Sequence, residues 1–308
     1  MLKKLTEFVP MGVLSLIFGK LLGDGNLTIE KQRQPRFRFQ HCYSDHEWCN
    51  NCYESLKAYI PLAPPKKRIT LDSRLEKGYS ESVYVQSKTS PLFGLLKQLW
   101  YQENKKVIPL EILSEVLDEA GLAWWYQDDG HLAICNRNRV RKIILSSDNF
   151  SYEENTTLIE LLKQKFQLTF SLDGQNRLCL YNQKEILFFL NKVRPLMHSS
   201  MNRKLYHFTN KECSLFPHRK RTTISLPTSI LVKAPTKDII GMIESIETES
   251  FLQNWFNECY RNKILNLSLD NNKYQINIEK EQLIKIDYLK KRTGLTMNEI
   301  VYLASQID

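Results

Sequence analysis

The chain has 308 residues, 42% of them hydrophobic and 25% charged, which suits a folded core divided over two or three units and excludes a disordered tail. No apolar run approaches the roughly 18 residues needed to span a bilayer, so a membrane protein is not expected, and Glu7 and Pro10 interrupt the N-terminus before any signal-peptide core can form. The formal charge of +9 and a pI near 9.1 favour a polyanionic partner, and seven scattered cysteines in a chain of this length point to a reducing intracellular compartment: a bacterial or phage-infected cytoplasm, or an organelle matrix.

The first informative helix is Leu16-Ile-Phe-Gly-Lys-Leu-Leu, ending in Gly23-Asp24-Gly25. Glycine after an apolar helical stretch is expected to take the left-handed stop conformation, which puts Asp24 at the helix C-terminus. A carboxylate there meets the negative end of the helix macrodipole, a conflict that a bound cation relieves. Gly19 and Gly23, four residues apart, leave room for a second helix to approach closely. Downstream, Arg36 to Gln40 alternates as a strand, with Arg36, Arg38 and Gln40 on one face and Phe37 and Phe39 on the other. Ser44-Asp-His-Glu47 reads as a capping box opening a helix through Trp48, Tyr53, Leu56 and Tyr59. Cys49 and Cys52, with His41 and His46 nearby, have a zinc-like spacing, but on a helix such a pair reads as small core residues. A strand pair follows, Arg68 to Asp72 with Ser82 to Gln86, in which Ile69 and Leu71 are expected on the core face. A closing helix from Pro91 to Tyr101 leads into Asn104-Lys-Lys106.

The same order then recurs, offset by 105 residues. Leu122-Ala-Trp-Trp-Tyr-Gln-Asp-Asp129-Gly130 repeats the helix with its terminal acid, and Lys142 to Ser146 repeats the strand. Ser151-Tyr-Glu-Glu154 repeats the capping box, and Leu158, Leu161, Leu162 and Phe166 mark its helix. Thr169 to Leu172 pairs with Arg177 to Tyr181 around an Asp173-Gly174 turn, before a closing helix from Lys184 to Val193 and then Met201-Asn-Arg-Lys204. Each half, 1–110 and 111–215, therefore reads as helix, two strands, helix, two strands, helix. The copies are not identical: Trp124 stands opposite Gly19 in the alignment, and Asp128 opposite Gly23.

This doubled pattern resembles the LAGLIDADG homing endonucleases, in the single-chain class with two motif copies, over about residues 10 to 205. The resemblance implies an α+β fold in which two pseudo-symmetric αββαββα halves with saddle-shaped antiparallel sheets meet at the motif helices. It implies a monomer that makes site-specific double-strand breaks in a long DNA target, leaving short 3′ overhangs. Asp24 and Asp129 would be the catalytic and metal-holding acids, sharing two or three Mg2+ (or Mn2+) ions with the scissile phosphates. Lys106 and Lys204 resemble the basic residues that approach the cleavage centres, where a cation stabilises developing charge. Gln40 and Ser146, at equivalent strand ends, are candidates to orient water, with a structural or base-reading role equally open. Asp128 is expected to support rather than catalyse. The polar sheet faces offer Arg36, Arg38, Gln40, Arg68, Thr70, Gln86, Lys142 and Arg177 for DNA contacts, against the plain alternative of a solvated face. Competing functions are an intron RNA maturase, since some relatives assist splicing of a host intron, and a DNA-binding regulator that has lost cleavage.

After the repeat, Phe216-Pro-His-Arg-Lys-Arg221 is a basic connector into a small, mainly helical C-terminal domain, 216–308. Lys273 to Ile278 alternates as a strand, Lys280 to Arg292 is a helix stopped by Gly294, and Thr296-Met-Asn-Glu299 caps a last helix. This order resembles a ribbon-helix-helix DNA-binding unit. Thr222 to Leu226 and the helical patterns at Lys237 to Ile246 and Glu249 to Tyr260 read as a divergent second copy. In that arrangement Gln275 and Asn277, or Thr223 and Ser225, face a major groove; a helical subdomain that only packs on the nuclease is the alternative.

Overall fold

The computed structural model describes residues 1–28, 33–135, 139–207, 216–260 and 270–306. After a short α1 (Leu2–Thr6), the first repeat comprises α2 (Met11–Leu22), β1 (Gly25–Thr28), β2 (Arg36–Cys42), α3 (His46–Leu56), β3 (Lys66–Leu71), β4 (Tyr79–Gln86) and α4 (Pro91–Trp100). A two-residue pair, β5 (Tyr101–Gln102) and β6 (Lys105–Lys106), and the helix α5 (Leu110–Val116) lead to the second repeat. That repeat runs through α6 (Glu119–Asp129), β7 (Gly130–Cys135), β8 (Arg139–Leu145), α7 (Tyr152–Phe166), β9 (Ser171–Leu172), β10 (Leu178–Leu180) and α8 (Gln183–Val193). The two sheets have matching orders, β1-β2-β4-β3 and β7-β8-β10-β9. The expected αββαββα pattern is therefore present twice.

The alternation of β2 explains its sheet: Phe37 and Phe39 are fully buried, while Arg36, Arg38 and Gln40 are only half-buried on the opposite face. Phe37 stacks on Phe93 of α4 at 6.2 Å between centroids, and Phe18 of α2 meets Trp100 edge-on at 5.2 Å. In the second repeat Ile143, Leu145, Leu178 and Leu180 turn the matching face inward with Leu158 and Leu162.

Three local expectations need correction. The box predicted at Ser44 does not form: Tyr43–Asp45 is a 3-10 turn, Asp45 precedes α3 without a side-chain cap, and Ser44 Oγ lies 2.9 Å from Cys42 Sγ. The box at Ser151 forms fully, with Ser151 Oγ accepting from Glu154 N and Glu154 Oε2 from Ser151 N. Ile69 and Leu71 are 59% and 87% exposed, not core: α3 packs on β2 and β4, and β3 is the sheet edge with neither face covered. The motif glycines are not left-handed; a Cβ on Gly25 would stand 2.6 Å from Lys20 O, and one on Gly130 2.3 Å from Tyr126 O, so space rather than φ demands glycine. The turn expected at Asp173-Gly174 does form, closed by Asn176 N donating to Asp173 O at 3.0 Å, with a positive φ at Asn176.

The chain divides into two compact units. One holds Met1–Ala133, Lys142–Tyr181 and Lys192–Tyr206, and with them both motif helices. The other gathers Ile134–Arg141, Asn182–Asn191 and His207–Asp308. Its C-terminal elements are β11 (Arg219–Pro227), α9 (Pro235–Ser245), α10 (Thr248–Asn254), β12 (Asn271–Glu279), α11 (Lys280–Thr293) and α12 (Met297–Ala304). Strands β11 and β12 form an antiparallel ribbon from Arg219↔Glu279 to Pro227↔Asn271. Helix α9 packs on β12 and α12 on β11, so each strand is covered by a helix that follows the other strand. Ile224, Leu226, Ile276 and Ile278 form the buried face of the ribbon, against Ile239, Ile243, Leu283, Ile286, Ile300 and Val301. Gly294 ends α11 at φ +74, and Thr296 and Glu299 form the predicted box, in which Glu299 also pairs with Lys184 at 2.5 Å.

Candidate active site

The motif helices α2 and α6 pack side by side because small residues line their contact. A Cβ on Gly19 would lie 2.2 Å from Gly121 O, one on Gly121 2.4 Å from Ser15 Oγ, and one on Gly23 2.7 Å from Asp128 Cβ. Asp118 caps α6 by accepting from Gly121 N at 2.9 Å, and the same oxygen accepts from Ser15 Oγ at 2.6 Å, which ties the start of α6 to α2. At the other end Asp24 N donates to Asp128 Oδ2 at 3.3 Å. The two helices thus run parallel and deliver their C-termini, with Asp24 and Asp129, to one place.

Beneath the ends lies a buried ion pair. Lys20, fully buried on α2, donates from Nζ to Asp128 Oδ1 at 2.7 Å and stands 2.9 Å from His41 Nε2. Trp48 Nε1 also donates to Asp128 Oδ1 at 2.8 Å, and the Lys20 ammonium sits 4.8 and 5.1 Å from the ring centroids of Phe39 and Trp48. Burial acts to lower the pKa of Lys20, but the Asp128 carboxylate holds it well above the usual lysine range. The other nitrogen of His41, Nδ1, lies 3.0 Å from Asp24 Oδ2. Among the described residues Asp24, His41 and Asp128 bring ligand atoms within 4.8 Å of one another, yet Lys20 already supplies the cation inside that cluster. The zinc-like quartet does not assemble: Cys49 and Cys52 are buried, burial pushes the Cys49 thiol up to about 12, and His46 Nδ1 faces Tyr43 O at 3.1 Å.

The two motif acids differ. Burial acts to raise the Asp24 carboxyl, but its bond to His41 and the charges of Lys20 and Lys204 outweigh it and hold Asp24 below the ordinary aspartate value. Asp129 has the opposite balance: burial, then repulsion from Asp24 and Asp128, raises it to about 7 despite Lys204 and Lys106. Lys106 Nζ donates to Gly25 O at 2.8 Å, and Lys204 Nζ to Gln127 O at 2.6 Å and Asp128 O at 2.8 Å. Lys204 therefore caps the carbonyl end of α6, while Lys106 bonds the start of β1 just beyond α2, with Gly23 O at 3.5 Å. Burial lowers both lysines, Lys106 to about 8.

A family model for the LAGLIDADG DNA endonuclease family matches residues 14–187, which contain both sheets, all of α6 and α2 from Leu14 onward. The chain belongs to the LAGLIDADG DNA endonuclease family. Over 117 residues it is 32% identical to intron-encoded endonuclease ai4 of Dictyostelium discoideum, covering 37% of this chain and 70% of that protein. It is 29% identical over 216 residues to the cytochrome b mRNA maturase bI2 of Saccharomyces cerevisiae, covering 64% of this chain and 48% of the maturase. The solved structure of the homing endonuclease I-WcaI bound to its DNA recognition sequence has a TM-score of 0.56 at 20% identity, covering 68% of this chain and 93% of that one, a likeness of fold.

In this LAGLIDADG protein the register carries the other predicted residues to two sheet faces. Gly25↔Phe39 brings Gln40 opposite Asp24, and Ser146 N donates to Asp129 O at 3.2 Å, so Gln40 and Ser146 are equivalent neighbours of the two acids. Arg38↔Gln86, Gln40↔Tyr84 and Arg68↔Ser82 place Arg36, Arg38, Gln40, Arg68, Thr70 and Gln86 on one face of the first sheet. Arg38 donates to Gln40 Oε1 at 2.7 Å and lies over the Tyr84 ring at 4.6 Å. On the second sheet Lys142 approaches the Tyr181 ring at 6.0 Å, while Arg177 is held in its turn by Asp173 at 2.7 Å. Gln275 and Asn277 are not part of this group; they lie on the C-terminal ribbon. Sequence reasoning assigned no role to Lys20, Trp48 or the Ser15–Asp118 bond. One signal was available: a single lysine in the apolar run Val13 to Leu22, facing a second-copy acid, Asp128, that replaces Gly23.

Proposed function

We propose that the protein is a site-specific DNA endonuclease that cuts both strands of a duplex in a metal-dependent reaction, with one reaction centre at each motif acid. The observation that carries this reading is the close packing of α2 and α6, which brings the two motif acids Asp24 and Asp129 to the same end of one helix seam, where burial and the neighbouring acids also raise Asp129. An excess of oxygen ligands at the negative ends of two helices fits a hard divalent cation. Asp24 and Asp129 would hold Mg2+ or Mn2+ there, which when bound supplies charge neutralisation at the scissile phosphate and an activated water. The remaining steps belong to the chain itself. Lys106 and Lys204 keep the helix-end carbonyls in place and put a cation beside the phosphate, and Lys106, lowered to about 8, can exchange a proton near neutral pH. Gln40 and Ser146, each opposite a motif acid, orient solvent. The faces carrying Arg36, Arg38, Arg68, Thr70, Gln86, Lys142 and Arg177 bind the duplex, the side chains of Arg38 and Gln40 being preorganised by their mutual bond. Two centres on one helix seam suit a monomer that cuts both strands and leaves short 3′ overhangs.

The test is cleavage of a randomised DNA library with magnesium, followed by sequencing of the ends. Asp24→Asn combined with Asp129→Asn is expected to abolish cutting while binding of the selected duplex persists. Cleavage by the double variant would refute the assignment of the two acids.

A further inference from the structure

We propose that His41 is a positioning residue for the Asp24 centre alone: it fixes the Asp24 carboxylate toward a divalent cation, through a buried chain of bonds that the second repeat lacks. Its predicted effect on cutting rests on the endonuclease reading above. The chain starts at Asp128 of α6, whose Oδ1 accepts from Lys20 Nζ of α2 at 2.7 Å, with both side chains at 0% exposure. Lys20 Nζ stands 2.9 Å from Nε2 of His41 on β2, and His41 Nδ1 lies 3.0 Å from Asp24 Oδ2. Chemistry fixes the direction of every bond. An ammonium has only donors, so His41 Nε2 must accept from Lys20 and carries no proton. The ring proton is therefore on Nδ1, where it donates to Asp24 Oδ2. A hydrogen bond of this kind orients a metal-holding carboxylate, and loss of such a partner weakens metal affinity or activity by roughly 10- to 100-fold.

The second repeat has none of the three parts. At the 105-residue offset Lys20 corresponds to Trp125, and Asp128 to Gly23. His41 follows Gln40 as Ser147 follows Ser146, but Ser147 Oγ spends its one proton on Asn176 O, at 3.3 Å. Packing does not require an ammonium here: Trp125, fully buried, fills the matching place with a ring. Exchanging a buried ion pair for apolar side chains is often neutral or stabilising, so stability alone gives no reason for Lys20 and Asp128. What the pair adds is direction, because it holds His41 in the tautomer that donates to Asp24. Trp48 Nε1, donating to the same Asp128 oxygen at 2.8 Å, keeps that carboxylate from turning away. The two acids of one helix seam are thus held differently, and the two strands of a duplex meet unequal centres.

Nitrogen NMR of the histidine-labelled full chain, without DNA or metal, reads the tautomer directly. His41, identified as the signal lost in His41→Asn, is expected to be neutral with its proton on Nδ1; a proton on Nε2, or on both nitrogens, overturns the proposal. Mn2+ binding without DNA, followed by the paramagnetic resonance of the free ion, is the second readout. His41→Phe keeps a ring and removes both bonds, and should weaken the site that Asp24→Asn abolishes by roughly 10- to 100-fold. His41→Asn, whose amide donor stands near the Nδ1 position, should recover most of that affinity, whereas His41→Gln, whose amide reaches toward Lys20, should not. These two variants carry the test if His41→Phe fails to fold, and matching thermal transitions establish which variants are folded. On the duplex selected by the cleavage experiment above, the Mg2+ concentration that half-saturates cutting by His41→Phe should rise roughly 10- to 100-fold for one strand only. Nicked DNA then accumulates at low Mg2+, and both strands are cut at high Mg2+. Absence of an Asp24-dependent Mn2+ site, unchanged affinity in the folded variants, or equal slowing of both strands would overturn the proposal. A wild type with the expected tautomer and a His41-dependent Mn2+ site that cuts no DNA would support the positioning role and sink the nuclease reading.

Discussion

At Lys20 and Asp128 two charges that are each costly to bury are made tolerable by one another, with both side chains at 0% exposure. Lys20→Met leaves Asp128 as an uncompensated buried anion and is expected to cost about 3–5 kcal/mol in chemical denaturation. Adding Asp128→Asn should recover part of that loss, because the two effects are coupled. Asp129 predicts a pH dependence of opposite sense to the usual acid. Its folded pKa, about 7, lies above the ordinary aspartate value of 3.8, so the metal-free folded state holds a proton that the unfolded chain has released. That contribution is fully present below about 4 and is lost as pH rises through about 7. Thermal melts in chelator should show stability falling over this window in the wild type, and a shallower fall in Asp129→Asn. Magnesium should raise the melting temperature of the wild type at alkaline pH more than that of the variant.

Helix contacts and helix ends decide the next scale. Gly19→Ala places a methyl 2.2 Å from a backbone oxygen of α6, which cannot move aside as a side-chain tip can, so the two motif helices must separate. A lowered melting temperature and impaired cleavage are expected together. Gly94, inside α4, has open space where a methyl would stand, with nothing within 4 Å, and Gly94→Ala should stabilise by about 0.5–1 kcal/mol through helix propensity alone. The two candidate boxes make a second contrast. Ser151→Ala removes a bond to Glu154 N and should cost about 1 kcal/mol, whereas Ser44→Ala, outside any cap, should be near neutral; urea titrations of both variants read the difference. The tetrad Ser-x-x-Glu is the same in both sequences. Only the chain direction after β2, which enters a 3-10 turn before α3, separates them.

For the whole molecule, the basic charge and the polar sheet faces predict that DNA binding weakens steeply with salt, because each neutralised phosphate releases counterions. The logarithm of affinity should fall linearly with the logarithm of salt, and removing Arg68 from its exposed strand should reduce the slope by about one; an unchanged slope would place Arg68 off the phosphate backbone. No helix of the described residues is long and apolar enough to cross a membrane, and Cys42, Cys49, Cys52 and Cys179 form no disulfide.

The repeat, the order of its elements and the two terminal acids were legible in the amino-acid sequence because they depend on local terms: apolar periodicity, capping residues and the polar alternation of Arg36 to Gln40. The strand-helix-helix order of the last quarter was legible for the same reason. What surrounds each acid was not, because it depends on atoms brought together from distant segments. Lys20, His41, Trp48 and Asp128 meet only when α2, β2, α3 and α6 are packed, and that meeting makes Asp24 a paired carboxylate while Asp129 remains a raised one. The motif glycines show the same division. The spacing of Gly19 and Gly23 already read as room for a partner helix, but the reason for Gly25 and Gly130, contact with Lys20 and Tyr126 rather than a left-handed turn, is a matter of tertiary distance.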